Sequence, residues 1–210
     1  MKTSNQQEVW ENIAEKWSEF RQKPSPSVSG FLKDKKGKIL DLGCGSGRNF
    51  PCFTEGSVIY GVDFSKNMLK YAGKNAGKGK IKAILKIMEK EKIPYEDEFF
   101  DYAICIALLH CVPRKKQRQK IINELFRVLK PQGEALISVW SRNSPRLKNK
   151  AKECFIPWTI QNREEGKEKQ ERYTYIYDKE EIEKSLKKAG FKVLKIWEER
   201  NLNAIVKKGE

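Results

Sequence analysis

Only one histidine, His110, stands among the 210 residues, and the five cysteines (Cys44, Cys52, Cys105, Cys111 and Cys154) show no C-x-x-C spacing. A His/Cys metal centre and a paired disulfide framework are both disfavoured, and the cysteine usage reads as reduced and intracellular. No apolar run is long enough to cross a bilayer. The opening residues Met1-Lys-Thr-Ser-Asn-Gln6 lack the apolar core of a secretory signal. A cytoplasmic protein with no membrane partner and no metal is expected. No repeat or low-complexity linker divides the chain, so residues 1–210 are expected to form a single domain. Acid is in short supply, with 28 Asp and Glu against 43 Lys and Arg, a formal net charge of +15. Such an excess favours a polyanionic partner, either nucleic acid or an anionic surface. A charged surface suited to high temperature would account for the abundance of charge but not for its sign.

What the chain does have is a strand, Lys38-Ile-Leu-Asp-Leu42, running straight into Gly43-Cys-Gly-Ser-Gly47. Glycine removes the Cβ where backbone must press against a ligand. A second strand, Val58–Val62, ends on Asp63, an acid placed to accept hydrogen bonds from ribose hydroxyls. The pair points to a nucleoside-bearing cofactor at the C-terminal edge of a parallel sheet. A dinucleotide fingerprint needs a third glycine where Arg48 stands. Asp41, just before the turn, would repel a pyrophosphate and suits a cation. S-adenosylmethionine carries a sulfonium and an ammonium and no phosphate, so it fits better than a nicotinamide cofactor. A glycine-rich turn without a ligand is the plainer alternative.

The remaining pattern alternates strand and helix. Val9 to Phe20 is amphipathic, with Val9, Ile13, Trp17 and Phe20 near one face, and N-terminal helices are expected over 4–34. Pro24 and Pro26 break the first, and Ser27 can cap a short second helix through Leu32. A helix is expected after the glycine turn, and Ser65 caps another carrying Met68, Leu69 and Ala72. Ile81–Ile87 reads as a third strand, and Phe100–Ile106 as a fourth, apolar enough to be buried on both faces. Arg114–Lys130 is a helix closed by Pro131-Gln-Gly133, and Ala135–Trp140 is a fifth strand. Residues 141–171 are polar and read as an inserted loop region on the substrate side, with a short strand following over Tyr173–Tyr177. Asp178 and Glu181 have capping-box spacing before a helix ending at Gly190. Phe191–Trp197 and Leu202–Val206 read as a closing hairpin. This is the pattern of an α/β, doubly wound Rossmann-like sheet, with ligands beyond the carboxyl ends of its strands.

Asp-Leu-Gly-Cys-Gly-Ser-Gly47 resembles the first motif of class I methyltransferases, and Gly61-Val-Asp-Phe-Ser65 the second. A narrower likeness runs along most of the chain. Trp10-Glu-Asn-Ile-Ala-Glu-Lys-Trp-Ser-Glu-Phe-Arg21 with Pro24 and Pro26 is similar to the opening of the tRNA wobble-uridine carboxymethyl methyltransferases, the yeast enzyme and the methyltransferase domain of an AlkB-like human protein. Ile106-Ala-Leu-Leu-His110, Val139-Trp140, Phe155-Ile-Pro-Trp158 and Arg172-Tyr-Thr-Tyr-Ile-Tyr177 match further motifs in order. Ser25 and Cys111 depart from the pattern, where the family carries tryptophan and a second histidine.

The resemblance implies a mostly parallel seven-stranded sheet with a C-terminal antiparallel hairpin. It implies methyl esterification of 5-carboxymethyluridine at the tRNA wobble position, with S-adenosyl-L-methionine as donor. The cofactor set expected is Trp17, Asp41, Gly43, Cys44, Gly45, Asp63, Phe64, Glu89 and Ile106. Glu89 would accept from the adenine amino group, or is a solvated acid in a basic run. Arg21, His110 and Trp140 are the expected catalytic residues, orienting the carboxylate, hydrogen-bonding substrate and walling the methyl group. Arg142, Arg172 and Tyr173 would meet the tRNA anticodon loop. Basic clusters at Arg114, Lys115, Lys116 and Arg118, and at Arg142, Arg146, Lys148, Lys150 and Lys152, would grip phosphates. The edge strand Ile81–Ile87 invites β-augmentation by a small zinc-binding activator protein of the kind the family uses. A small-molecule methyltransferase acting on a quinone or metabolite carboxylate shares the cofactor site but leaves the basic clusters unexplained. A non-catalytic RNA-binding scaffold leaves the cofactor residues unexplained.

Overall fold

The apolar runs around the glycine turn are too continuous to face water on one side. In the computed structural model, which describes residues 5–145, 147–162 and 166–210, they lie at the centre of a sheet covered on both faces. The strands are β1 (Gly37–Leu42), β2 (Ser57–Asp63), β3 (Ala83–Ile87), β4 (Phe100–Ile106), β5 (Leu129–Val139), β6 (Glu153–Asn162), β7 (Gly166–Tyr175), β8 (Phe191–Glu198) and β9 (Leu202–Lys208). Seven of them form one sheet in the order β3-β2-β1-β4-β5-β9-β8. β1 to β5 pair in parallel, whereas β9 runs antiparallel to β5 and β8 antiparallel to β9. The expected mixed sheet with its closing hairpin is therefore present.

The helices cover this sheet with single apolar faces. They are α1 (Gln6–Phe20), α2 (Pro26–Leu32), α3 (Lys66–Lys78), α4 (Lys115–Val128) and α5 (Lys179–Lys188). In α3, Met68, Ala72 and Ala76 recur every fourth residue and are buried together. Ser65 caps that helix, accepting from Met68 N at 3.0 Å. α1 packs on α3 through Trp10, Ile13, Ala14 and Met68. Glu11 of α1 reaches the first turn of α3, where its carboxylate accepts from Lys66 N and Asn67 N at 2.8 Å each and from Ser65 Oγ at 2.9 Å. An acid from another helix thus satisfies donors that the α3 backbone cannot pair internally.

Four local expectations are corrected. No α-helix follows the glycine turn; the chain to β2 is turns and one 3-10 turn, Phe50–Cys52. Gly43, Gly45 and Gly47 all have positive φ, and Pro51 lacks the N–H a helix would need. Ser25, not Ser27, precedes α2, because Pro26 takes the first helical position. Pro131 does not close α4 with a loop, because β5 begins at Leu129 directly after it. Pro131 lies beside a register irregularity between Phe100 and Tyr102, where a missing donor is tolerated. Within 141–171, the residues from Glu153 to Asn162 and from Gly166 onward are strand and not loop. β6 and β7 form a long antiparallel hairpin from Glu153↔Tyr175 to Asn162↔Gly166. The base of this hairpin packs on the body through Phe155, Tyr173 and Tyr175.

Candidate functional site

The glycine turn is fixed from beneath. Gly43 N and Cys44 N both donate to Val62 O, at 2.7 and 3.1 Å. Gly45 N donates to Asp63 Oδ2 at 2.9 Å, and Ser65 N to Asp63 Oδ1 at 3.0 Å. The end of β2 therefore sets the shape of the turn that follows β1. A Cβ on Gly43 would come within 2.9 Å of Leu108 Cβ, so the loop after β4 fits only against a glycine there. At Gly45 (φ 54°) nothing stands within 4 Å of a Cβ position, and that open space belongs to a cleft of about 990 Å³.

Acid charge is concentrated under this turn. Burial pushes the Asp63 carboxyl up to about 6, against its hydrogen bonds from the Ser65 and Gly45 backbone. Asp41 is buried, and neither carboxylate oxygen has a hydrogen-bond partner. Burial raises it to about 7; Arg48 opposes the rise, Asp63 adds to it, and Asn49 lies near without making a well-formed bond. Two buried carboxyls of raised pKa beside an open cleft fit a cationic ligand, which would restore their ionised forms. Asp63 is on the cleft wall with Gly43, Cys44, Gly45 and Phe64; Asp41 lies behind the turn and is not part of that wall.

The opposite wall is assembled from distant segments. Ala107, at φ 63°, turns the chain after β4 into a 3-10 turn, Leu109–Cys111. This buries His110 against Trp140, with ring centroids 4.6 Å apart and planes at 20°. Trp140 N donates to His110 Nδ1 at 3.4 Å, which leaves the N–H of the neutral ring on Nε2. Burial, then Arg172 and Arg21, lower His110 to about 3. Arg172 projects from β7 into an aromatic box, its guanidinium 5.9, 5.1 and 5.2 Å from the rings of Trp10, Trp17 and Trp158. Arg21, the C-cap of α1, lies over Trp17 at 5.2 Å.

Trp17, Arg21, Gly43, Cys44, Gly45, Asp63, Phe64, Ile106, His110, Trp140 and Arg172 thus converge on one cleft. Four expected residues do not reach its wall. Asp41 is behind the turn, as described. Glu89 is exposed in a tight turn bridging to Lys92, where Lys90 and Glu91 have positive φ. Tyr173 is buried and its hydroxyl donates to Pro113 O at 3.1 Å. Arg142 donates from Nη1 to Lys150 O at 2.6 Å. Two further cations of the basic clusters are structural. Arg118 is buried, donates to Val112 O and Pro113 O, and lies 3.7 Å from the Tyr175 ring centre. Lys152 pairs with Asp178 and Glu181. Arg146 lies outside the described residues.

The sequence reading missed Trp10, Asn49, and the β8–β9 turn with Glu199, Arg200 and Asn201, all on the cleft. Trp10 was named only as the opening residue of the family-like N-terminal motif, with no site role, and nothing in the polar string around Arg200 marks it off from an ordinary hairpin turn.

The family model described as a methyltransferase domain matches residues 40–137. A tRNA (carboxymethyluridine(34)-5-O)-methyltransferase of Arabidopsis thaliana is 37% identical over 139 residues, 63% of this chain and 32% of that protein. The enzyme of the same description from Saccharomyces cerevisiae is 31% identical over 160 residues, 72% of this chain and 55% of that protein. The chain spans about a third of the length of several curated relatives it matches. Among solved structures, a SAM-dependent methyltransferase of Methanosarcina mazei superimposes with a TM-score of 0.69 at 22% identity, over 89% of this chain and 99% of that one. Among the described residues, no helix is long and apolar enough to cross a membrane.

Proposed function

We propose that the chain, a class I S-adenosylmethionine-dependent methyltransferase by its matched domain and its relatives, methylates the carboxylate of 5-carboxymethyluridine at the wobble position of tRNA, giving the methyl ester. The observation that carries this reading is that one cleft brings together buried acids at its glycine turn, partly offset by Arg48, and two arginines beside His110. The acids are Asp41 and Asp63, and the arginines are Arg21 and Arg172. A cationic donor and an anionic acceptor would each meet side chains of opposite sign. The cofactor relatives and the tRNA named for the Arabidopsis and yeast enzymes point the same way.

S-adenosyl-L-methionine, when bound, supplies an electrophilic methyl group on a cationic sulfur. The backbone of Gly43, Cys44 and Gly45 and the carboxylate of Asp63 would hold it, with Trp17, Phe64 and Ile106 as apolar walls. Arg21 and Arg172 orient the substrate carboxylate, Arg172 kept rigid by its box of tryptophans. His110 is neutral, so it adds no charge; its Nε2–H donates a hydrogen bond to the uracil or to the carboxylate. Trp140 holds that imidazole in place and closes the wall. A carboxylate of ordinary pKa near 4 is already ionised at neutral pH, so no general base is needed. The chain's contribution is orientation and exclusion of water, which can supply roughly 7–11 kcal/mol of a barrier.

Labelled methyl transfer to tRNA lacking the ester, with mass-spectrometric identification of the nucleoside, tests this. The expected product is 5-methoxycarbonylmethyluridine. Transfer to free carboxylates but not to tRNA would overturn the RNA assignment, and modification of any base without a carboxymethyl group would overturn the ester assignment. We also propose that β3 takes an activator strand. It is the outermost parallel strand, and Ile84 on it and Val58 on β2 are both exposed. Ile84→Lys is expected to abolish activation by a small zinc-binding partner while cofactor affinity is retained; full activation of that variant would remove this edge from consideration.

A further inference from the structure

Among the described residues, Phe20 is the most exposed of the large apolar side chains, at 63%. It ends α1, next to the cleft. Its ring lies edge-on to Trp158 of β6, with centroids 5.1 Å apart and planes at 71°. It is tilted against Trp17 at 6.5 Å, and the Arg21 guanidinium stands 5.3 Å from its centre. Trp17 and Arg21 are both cleft-wall residues. The phenyl ring is therefore continuous with the cleft, and one ring away from it.

This placement is not explained by the core, which the ring does not enter, nor by the mechanism, which does not use it. A protein partner is a poor match. Such an interface needs upwards of about 1,000 Å², and among the described residues the other exposed large apolar side chains, Val58, Ile84 and Leu194, are on β2, β3 and β8. A solitary ring backed by a second aromatic and flanked by a guanidinium is the size and chemistry of a nucleobase stacking platform. Lys23, two residues beyond Arg21, lines the cleft and supplies a cation for the intervening phosphate.

We propose that Phe20, supported by Trp158 and Arg21, stacks on the unpaired base adjacent to the one that enters the cleft. The proposal rests on the RNA reading above and names how the anticodon loop is held while its wobble nucleotide is turned inward. Turning a base out of its stack has an energetic cost, and a substitute stacking partner for the neighbour offsets part of it.

The test uses an anticodon stem-loop bearing 5-carboxymethyluridine, with binding read by fluorescence anisotropy and turnover by methyl transfer. Phe20→Ala and Phe20→Leu are each expected to weaken stem-loop binding and to raise KM roughly five- to a hundredfold, the range of one base–aromatic stack, with kcat retained. Phe20→Trp is expected to restore both. A stem-loop with an abasic site beside the wobble position should bind wild type and Phe20→Ala equally. The platform is overturned if Phe20→Leu behaves as wild type, which would mean plain apolar contact, or if the Phe20→Ala defect persists on the abasic stem-loop. Binding without methyl transfer by wild type would sink the substrate reading and leave the platform standing, so the two failures are distinguishable.

Discussion

On one wall of the cleft, three consecutive residues, Gly43 to Gly45, present a turn whose shape is dictated by Val62 and Asp63 of the neighbouring strand. On the other, Arg21, His110, Trp140 and Arg172 arrive from α1, the turn after β4, the end of β5 and β7. The first wall is local, made of backbone, and acidic beneath. The second is non-local, made of side chains, and cationic. The difference separates two ways of building a site: a backbone turn leaves few ways to vary, whereas a wall of side chains is set residue by residue.

Substitutions that touch one wall should leave the other intact. The largest effect is expected from Arg172→Lys, which keeps the charge but loses the planar fork and its fit among three indoles. kcat/KM on tRNA should fall by about a hundredfold or more, as for loss of a donor at a reacting oxygen, while calorimetric affinity for S-adenosyl-L-methionine stays within error. Loss of both would show that the walls are one unit. Gly45→Ala is the converse. Its Cβ meets no protein atom but occupies the cleft, and the positive φ costs about 1–2 kcal/mol in stability. Cofactor affinity should drop about tenfold (about 1.4 kcal/mol), with stem-loop binding unchanged; unchanged cofactor affinity would place the donor elsewhere.

Smaller still is the effect of pH on the cationic wall. His110 is lowered from 6.5 to about 3 in the fold, so its neutral form favours the folded state fully above the unfolded value. That contribution is lost as pH falls through 6.5 toward 3. At saturating cofactor, kcat should therefore vary less than about twofold between pH 6 and 8. An inflection near 6.5 that disappears in His110→Gln would show an imidazole open to solvent. The smallest effect belongs to Glu89→Ala, which should leave cofactor affinity unchanged, because Glu89 is exposed in its turn. Several-fold weaker binding in isothermal titration would return that acid to the site.

The acidic wall was the more legible in sequence, for the same reason that it is local. A strand, a turn of alternating glycines and an acid ending the next strand are contiguous signals, and each side chain has one task. The cationic wall came from family likeness, because no spacing rule brings residue 21 to residue 172. Charge alone misplaced Arg118, which looks like its lysine neighbours but is drawn inward by Tyr175 and two carbonyls. It misplaced Arg142 and Lys152 in the same way. The β6–β7 hairpin was hidden because β7 opens on a charged run, Lys167 to Arg172, before its aromatic residues Tyr173 and Tyr175. The helix after the turn was expected from the usual βα rhythm, which three left-handed glycines and Pro51 override.

Glu11 gives the segment ahead of the sheet a weight that its position in the chain conceals. Its carboxylate closes the first turn of α3, while the same helix carries Trp10, Trp17, Phe20 and Arg21. A shortened protein starting at Gly37 would retain every strand and the whole glycine turn. It would nonetheless leave two backbone amides and the Ser65 hydroxyl at the start of α3 without their acceptor, and strip Trp10, Trp17 and Arg21 from the cleft.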